Sequence, residues 1–199
     1  MASVYDLKPR FQALLRPTIK ALASAGVTAN MVTIAAMAGS VGVGAALLFW
    51  QSPHALLLFP GWLFARMALN AIDGMMAREL GMKSDHGAIL NELGDVVSDL
   101  ALYLPLAAGP WRWPAIAFAT TAVLTEFCGV LAQALSGTRE YQGPMGKSDR
   151  ALVIGALAFF TWIFPGLAKH WPWVLWACAA LALLTCVNRC RAALRKVKR

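Results

Sequence analysis

Charge is scarce in this chain. Of its 199 residues only 14% are charged and 59% are hydrophobic, whereas a soluble domain carries about 25% charged residues. Between Lys20 and Arg66 there is no charged side chain at all, and the mean hydropathy is +0.58. A water-soluble core of this size could not hide so much apolar surface, which argues against a soluble enzyme, a nucleic-acid-binding domain or a disordered tail. Internal repeats and low-complexity segments are also missing, so one domain, 1–199, is the simplest organisation. No cleavable signal peptide is visible, because the basic, amphipathic stretch 1–20 has no separate apolar core and small-residue cleavage site. The four cysteines (Cys128, Cys178, Cys186, Cys190) lack a His or further Cys at metal-ligand spacing. They read as reduced thiols in apolar helix.

What is present is a set of long apolar segments. Crossing roughly 30 Å of hydrocarbon takes about 20 helical residues. Six segments qualify, near 31–50, 55–77, 88–109, 113–135, 150–168 and 172–190. The expected fold is therefore an all-α polytopic membrane protein with six spans across 31–190. Residues 1–25 form an interfacial helix, because Val4, Leu7, Phe11, Leu14, Leu15, Ile19 and Leu22 recur at helical spacing among basic residues. Residues 191–199 form a basic tail. Fifteen of the 18 basic residues fall on one side of this layout, and only Arg112 and Lys169 on the other. The positive-inside rule then puts both termini in the cytoplasm. The net charge of +8 is thus matched to the lipid bilayer as partner, not to nucleic acid.

The second and third spans are unlike the others. Six of the ten acidic residues lie between Asp73 and Asp99, and an ionisable group inside a span is costly and points to function. Asn70 and Asp73 share one helix face, and Asn91, Asp95 and Asp99 form a stripe at i, i+4 spacing. The short link around 78–87 makes the two helices antiparallel neighbours, so the stripes can face each other. Oxygen ligands from Asn70, Asp73, Asn91, Asp95 and Asp99 suit Mg2+ or Mn2+. Gly74, Gly87 and Gly94 allow close approach of a ligand or helix. Arg78, one turn beyond Gly74, can hold a phosphate that the cation also touches. Metal, guanidinium and glycine-lined space describe a diphosphate site and phosphoryl transfer.

Segment 70–95, NAIDGMMARELGMKSDHGAILNELGD, resembles the signature of the CDP-alcohol phosphotransferases, D-x2-D-G-x2-A-R-x8-G-x3-D-x3-D. Asp73, Gly74, Ala77, Arg78, Gly87 and Asp95 match it at the family spacing. Asn30, Thr33 and Gly146-Lys147 are weaker points of likeness. The resemblance implies transfer of a phosphatidyl group from CDP-diacylglycerol to a small alcohol with release of CMP, in phospholipid synthesis. It implies Asp95 as the base, Asp73 with Asn70 and Asn91 on metal and diphosphate, and Gly74, Ala77, Arg78 and Gly87 lining the CDP pocket. It also implies a homodimer in the bacterial inner membrane, with the site facing the cytoplasm. Two positions depart from the signature: Asn70 and Asn91 stand where the family has its first and third Asp. Asn keeps an oxygen ligand and loses the charge. Two readings are open at this point, a working variant and a degraded member that binds lipid or diphosphate without catalysis. A third, an ion or proton carrier using Glu92, Asp95, Asp99 and Glu126, is disfavoured because the polar residues cluster toward one side.

Other residues carry quieter readings. Segment 143–148, GPMGKS, is no P-loop, since Tyr141 stands where the first glycine is needed. Lys147 and Arg150 are the expected holders of an acceptor's phosphate. Arg66 is expected either to neutralise Asp73 or Glu126 or to contact the acceptor, and Glu126 either to pair with Gln133 or Arg66 or to serve in catalysis. Asp85 and His86 read as a polar link. His54 and His170 read as solvated, and the eight tryptophans mostly as an aromatic belt.

Overall fold

The computed structural model describes residues 4–50 and 52–197, and every regular element in them is helical. Seven α-helices run in order: α1 (Val4–Ser24), α2 (Ala29–Phe49), α3 (Leu58–Glu79), α4 (Asp85–Tyr103), α5 (Arg112–Ser136), α6 (Lys147–Ile163) and α7 (Trp171–Val197). The side chains of Val4, Leu7, Lys8 and Arg10 lie outside the described residues.

Each of the six expected spans falls on one helix from α2 to α7. Four segments, 29–49, 54–79, 112–136 and 165–197, are long and apolar enough to cross a membrane. By the same measure α4 and α6 are not, because α4 carries Asp85, Glu92, Asp95 and Asp99 and α6 has only 17 residues. The fifth segment ends sooner than the expected residue 168. Phe164 leaves helical geometry and Pro165 opens a short 3₁₀ turn, since proline cannot donate back to the preceding turn. The expected tail, by contrast, continues α7 as helix through Val197.

The outside is apolar and the inside is charged. Phe64, Phe127, Trp113, Trp173 and Leu152 are exposed, whereas Arg66, Asp99, Glu126, Arg150 and Arg189 are buried. That inversion is what a lipid environment requires of a helical bundle. Between the charges and the far end lies the main core, built on Phe59, Leu63, Tyr103, Phe118, Ile154, Trp171 and Leu175. A smaller cluster joins Ile19 of α1 to Val32 of α2 and to Ile72, Met75 and Met76 of α3. Arg16 pairs with Glu79 at 3.2 Å beside it. So α1 docks on the C-terminal half of α3 through Leu15, Ile19 and Leu22, while Leu14 faces outward.

Packing partners set the arrangement: α5 lies along α7, α2 along α3 and α4, and α3 along α6. A Cβ on Gly44 would stand 2.0 Å from the Ala101 carbonyl oxygen, so only glycine lets α2 and α4 close at this point. At the far end, three 3₁₀ turns each carry proline in their first positions. Two tryptophans expected in an aromatic belt serve the core here instead. Trp111 stacks on Trp171 at 4.5 Å, and the buried Trp171 indole donates to Thr161 at 2.9 Å. His54, expected to be solvated, accepts the Trp162 indole N–H at 3.0 Å. The cysteines are free, with Cys178 buried.

Candidate active site

The C-terminal end of α3 and the N-terminal ends of α2, α4 and α6 meet at one end of the bundle, around a cavity of about 900 Å3. Each N-terminus is built by local sequence. Thr28 Oγ1 accepts from the Met31 N–H at 3.3 Å at the start of α2, and Ser84 Oγ accepts from the Gly87 N–H at 3.0 Å at the start of α4. At α6 the Asp149 carboxylate accepts from the Gly146 N–H at 2.9 Å. Three helix N-termini therefore turn their partial positive charge toward one space, which favours an anion.

The signature residues Asn70, Asp73, Gly74, Ala77, Arg78, Gly87, Asn91 and Asp95 all line this cavity. Asp73 accepts from Thr33 Oγ1 at 2.8 Å, which fixes its carboxylate against α2. The glycines make room for specific neighbours. A Cβ on Gly74 would press the Arg78 guanidinium at 3.2 Å, and one on Gly87 would meet Asn30 Oδ1 at 2.6 Å. Arg78 thus folds back over the glycine and stays at the cavity edge.

Two expected site residues are elsewhere. Asp99 does not line the cavity. It is buried behind it, with Oδ1 2.5 Å from Arg66 Nη1 and Oδ2 2.7 Å from Arg150 Nη2. Two guanidiniums saturate its oxygens, so it is no ligand for a cavity-bound ion. Arg150 is fully buried. Its nitrogens reach Glu126 Oε1 and Thr125 Oγ1, both at 2.7 Å, and the Met145 carbonyl at 3.1 Å. Nothing of it is left for an acceptor. Spacing placed Asp99 on the same stripe as Asp95, but four more residues carry it past the cavity floor to where α6 packs.

Several contacts have no counterpart in the sequence reading. Lys147 Nζ lies 2.6 Å from Asp95 Oδ2. Arg66 reaches the other Asp95 oxygen at 3.4 Å, in place of the expected Asp73 or Glu126. Arg139, in the loop after α5, bridges Glu92 of α4 and Glu126 of α5, the latter at 2.8 Å. Arg189 of α7 donates to the Thr125 carbonyl and lies 3.9 Å from Glu126. Five bases (Arg66, Arg139, Lys147, Arg150, Arg189) thus pair with four acids (Glu92, Asp95, Asp99, Glu126) at or just below the cavity. The one signal for this was the placing of acids and bases within otherwise apolar segments, since a buried charge needs a partner.

Among the described residues no three His, Cys, Asp or Glu side chains converge as a metal cluster. The donors that remain are the Asp73 and Asp95 carboxylates and the Asn70 and Asn91 carboxamides. This all-oxygen set suits a hard divalent cation such as Mg2+ or Mn2+, with two charges rather than four. The Asn70 amide nitrogen is buried without a hydrogen-bond partner, a donor that a phosphate oxygen at the cavity would satisfy.

Residues 26–187 match the sequence profile of the CDP-alcohol phosphatidyltransferases. The chain belongs to that family. It is 48% identical over 195 residues to the inner membrane protein YnbA of Escherichia coli K12, covering 96% of each chain. It is 32% identical to a phosphatidylinositol phosphate synthase of Mycobacteroides abscessus, covering 92% of this chain and 84% of the relative. The fold is shared with the Mycobacterium tuberculosis phosphatidylinositol phosphate synthase PgsA1, solved with CDP-DAG bound, at a TM-score of 0.74 and 24% identity, over 89% of this chain and 92% of that one. The same enzyme has also been solved with manganese and citrate.

Proposed function

We propose that this family member transfers a phosphatidyl group from CDP-diacylglycerol to a small alcohol and releases CMP. The observation that carries the proposal is that the signature residues of α3 and α4, fourteen to twenty-two residues apart in sequence (Asp73 to Gly87 and Asp95, with Arg78 between), line a single anion-favouring cavity. Arg78 and the N-termini of α2, α4 and α6 hold the diphosphate. The alcohol oxygen forms a bond to the β-phosphorus, the anhydride bond to CMP breaks, and the alcohol proton passes to Asp95. Lys147 then has a second anion to face, the diphosphate, which frees the Asp95 oxygen it now touches. Asp73, Asn70 and Asn91 would hold a divalent ion, Mg2+ or Mn2+, which when bound supplies charge neutralisation and polarisation of the phosphoryl oxygen. All six helices α2–α7 cross a bacterial inner membrane on this reading. The cavity end lies on the cytoplasmic side, where the basic residues gather, and the protein is a homodimer, to be checked by cross-linking in membranes.

The test is CMP release by purified protein from CDP-diacylglycerol with Mg2+ or Mn2+ and a panel of alcohols. Arg78→Ala is expected to raise the apparent KM for the CDP-lipid by roughly ten- to a hundredfold, the worth of a charged hydrogen bond to phosphate, with kcat less affected. A second reading, a degraded member that binds without turnover, draws on the paired Asn70 and Asn91 and on the two cations already at Asp95. Asn70→Asp combined with Asn91→Asp discriminates: on the main reading the parent already releases CMP, and the double change mainly tightens metal binding. Release that appears only after the double change favours the degraded site.

A further inference from the structure

The cavity has a second wall, made by the N-terminal half of α4, α5 with its following loop, and α7, and the signature reading does not account for it. Both of its guanidiniums already face acids. Arg139 sits between Glu92 and Glu126, and Arg189 lies against Glu126 and the Thr125 carbonyl. On this wall two guanidiniums, Arg139 and Arg189, face two carboxylates, Glu92 and Glu126. A phosphomonoester brings about two negative charges at neutral pH. To bind here it would have to displace carboxylates from guanidiniums they already neutralise, and then sit beside those carboxylates.

The polar atoms left over on this wall are of both kinds. Glu92 Oε2 is a buried acceptor without a hydrogen-bond partner, and Arg139 Nε and Arg189 Nε are buried donors without one. A phosphate can only accept from such a wall, leaving the carboxylate oxygen unmet. A hydroxyl donates one hydrogen bond and accepts others, so several hydroxyls on one small molecule satisfy both kinds together. Gln133, which also lines this side, adds one more group able to donate and accept.

We infer that the acceptor bound against the Glu92–Arg139–Glu126 wall is a neutral polyhydroxyl alcohol that carries no phosphate. The inference rests on the transferase reading above and narrows its acceptor. It separates this chain from relatives named for a phosphate-bearing product. Glu92 is then a specificity residue: it occupies the guanidinium that a phosphorylated acceptor would need.

The experiment compares matched pairs, glycerol against glycerol phosphate and inositol against inositol phosphate, in the CMP-release assay. The free polyol is expected to outperform its phosphate ester in kcat/KM. Glu92→Gln, which leaves Arg139 only its Glu126 partner, is expected to move the preference toward the ester by roughly tenfold, the scale of one charged hydrogen bond. Equal or better use of the phosphate esters by the unaltered protein overturns the inference. Should no alcohol support release, the transferase reading fails by itself, and thermal unfolding of the purified protein decides the inference separately. Stabilisation by the phosphate esters of the unaltered protein refutes it. Stabilisation by them only after Glu92→Gln upholds it.

Discussion

Asp95→Asn is expected to cut CMP release by a factor of roughly 10²–10⁴, the usual contribution of a general base, without unfolding the protein. The carboxamide is close to the same shape, and its oxygen can still accept from Lys147, which now lies 2.6 Å from one carboxylate oxygen. What it cannot do is take a proton from an attacking hydroxyl. Asp95 is suited to that task by position. It lines the cavity on α4, and Arg66 at 3.4 Å and Lys147 at 2.6 Å fix its carboxylate there. Manganese binding, followed by titration calorimetry, separates the two roles the residue could have. Loss of release with manganese binding kept marks a base, and loss of both marks a metal ligand. A variant that turns over like the parent would remove Asp95 from the reaction altogether.

Arg150→Ala is expected to lower stability by about 3–5 kcal/mol, the cost of stripping one partner from a buried ion pair. The guanidinium spans Asp99 and Glu126, each at 2.7 Å, and both acids are buried. Its removal takes one guanidinium from each carboxylate in an apolar interior, leaving Asp99 with Arg66 and Glu126 with Arg139 and the more distant Arg189. Thermal unfolding in detergent should show the loss directly. Combining it with Asp99→Ala should cost less than the sum of the two single changes, because both break the same Arg150–Asp99 ion pair. Arg150→Lys should recover only part of the loss, since an ammonium cannot bridge two carboxylates, Thr125 and a carbonyl as a planar guanidinium does. Melting of Arg150→Ala at the parent's temperature would contradict the role assigned to the pair.

The α3–α4 hairpin was readable from the sequence because fixed spacings do two things at once there. They set the helix face, and they bring a family resemblance whose positions can be checked residue by residue. Asn70, Asp73, Asn91 and Asp95 do share one cavity. The stripe rule failed at Asp99 for a physical reason. A spacing of four keeps residues on one face, but it does not say which neighbour that face meets one turn deeper. There α6 arrives with Arg150, 51 residues away in sequence. The same limit hid the Lys147–Asp95 and Arg139–Glu92 contacts. Arg139 comes from the loop after α5 and Lys147 from the first residue of α6, where no periodicity fixes direction. Arg66 neutralises acids of the bundle, but those of α4, Asp95 and Asp99, which its long side chain reaches, and not Asp73 of its own helix or Glu126 of α5.

The shared charges also bear on how the chain reaches the bilayer during synthesis. As α4 leaves the ribosome, Arg66 is already available to Asp99, but the second guanidinium is not. Asp99 must wait for Arg150, which emerges 51 residues later, whereas Glu126 meets Arg139 from the loop after its own helix first. Until then the nascent bundle holds carboxylates that hydrocarbon does not tolerate. A fragment ending after α5 would stay dependent on the translocation machinery or be cleared by quality-control proteases. Only the arrival of α6 lets the assembled helices partition fully into lipid.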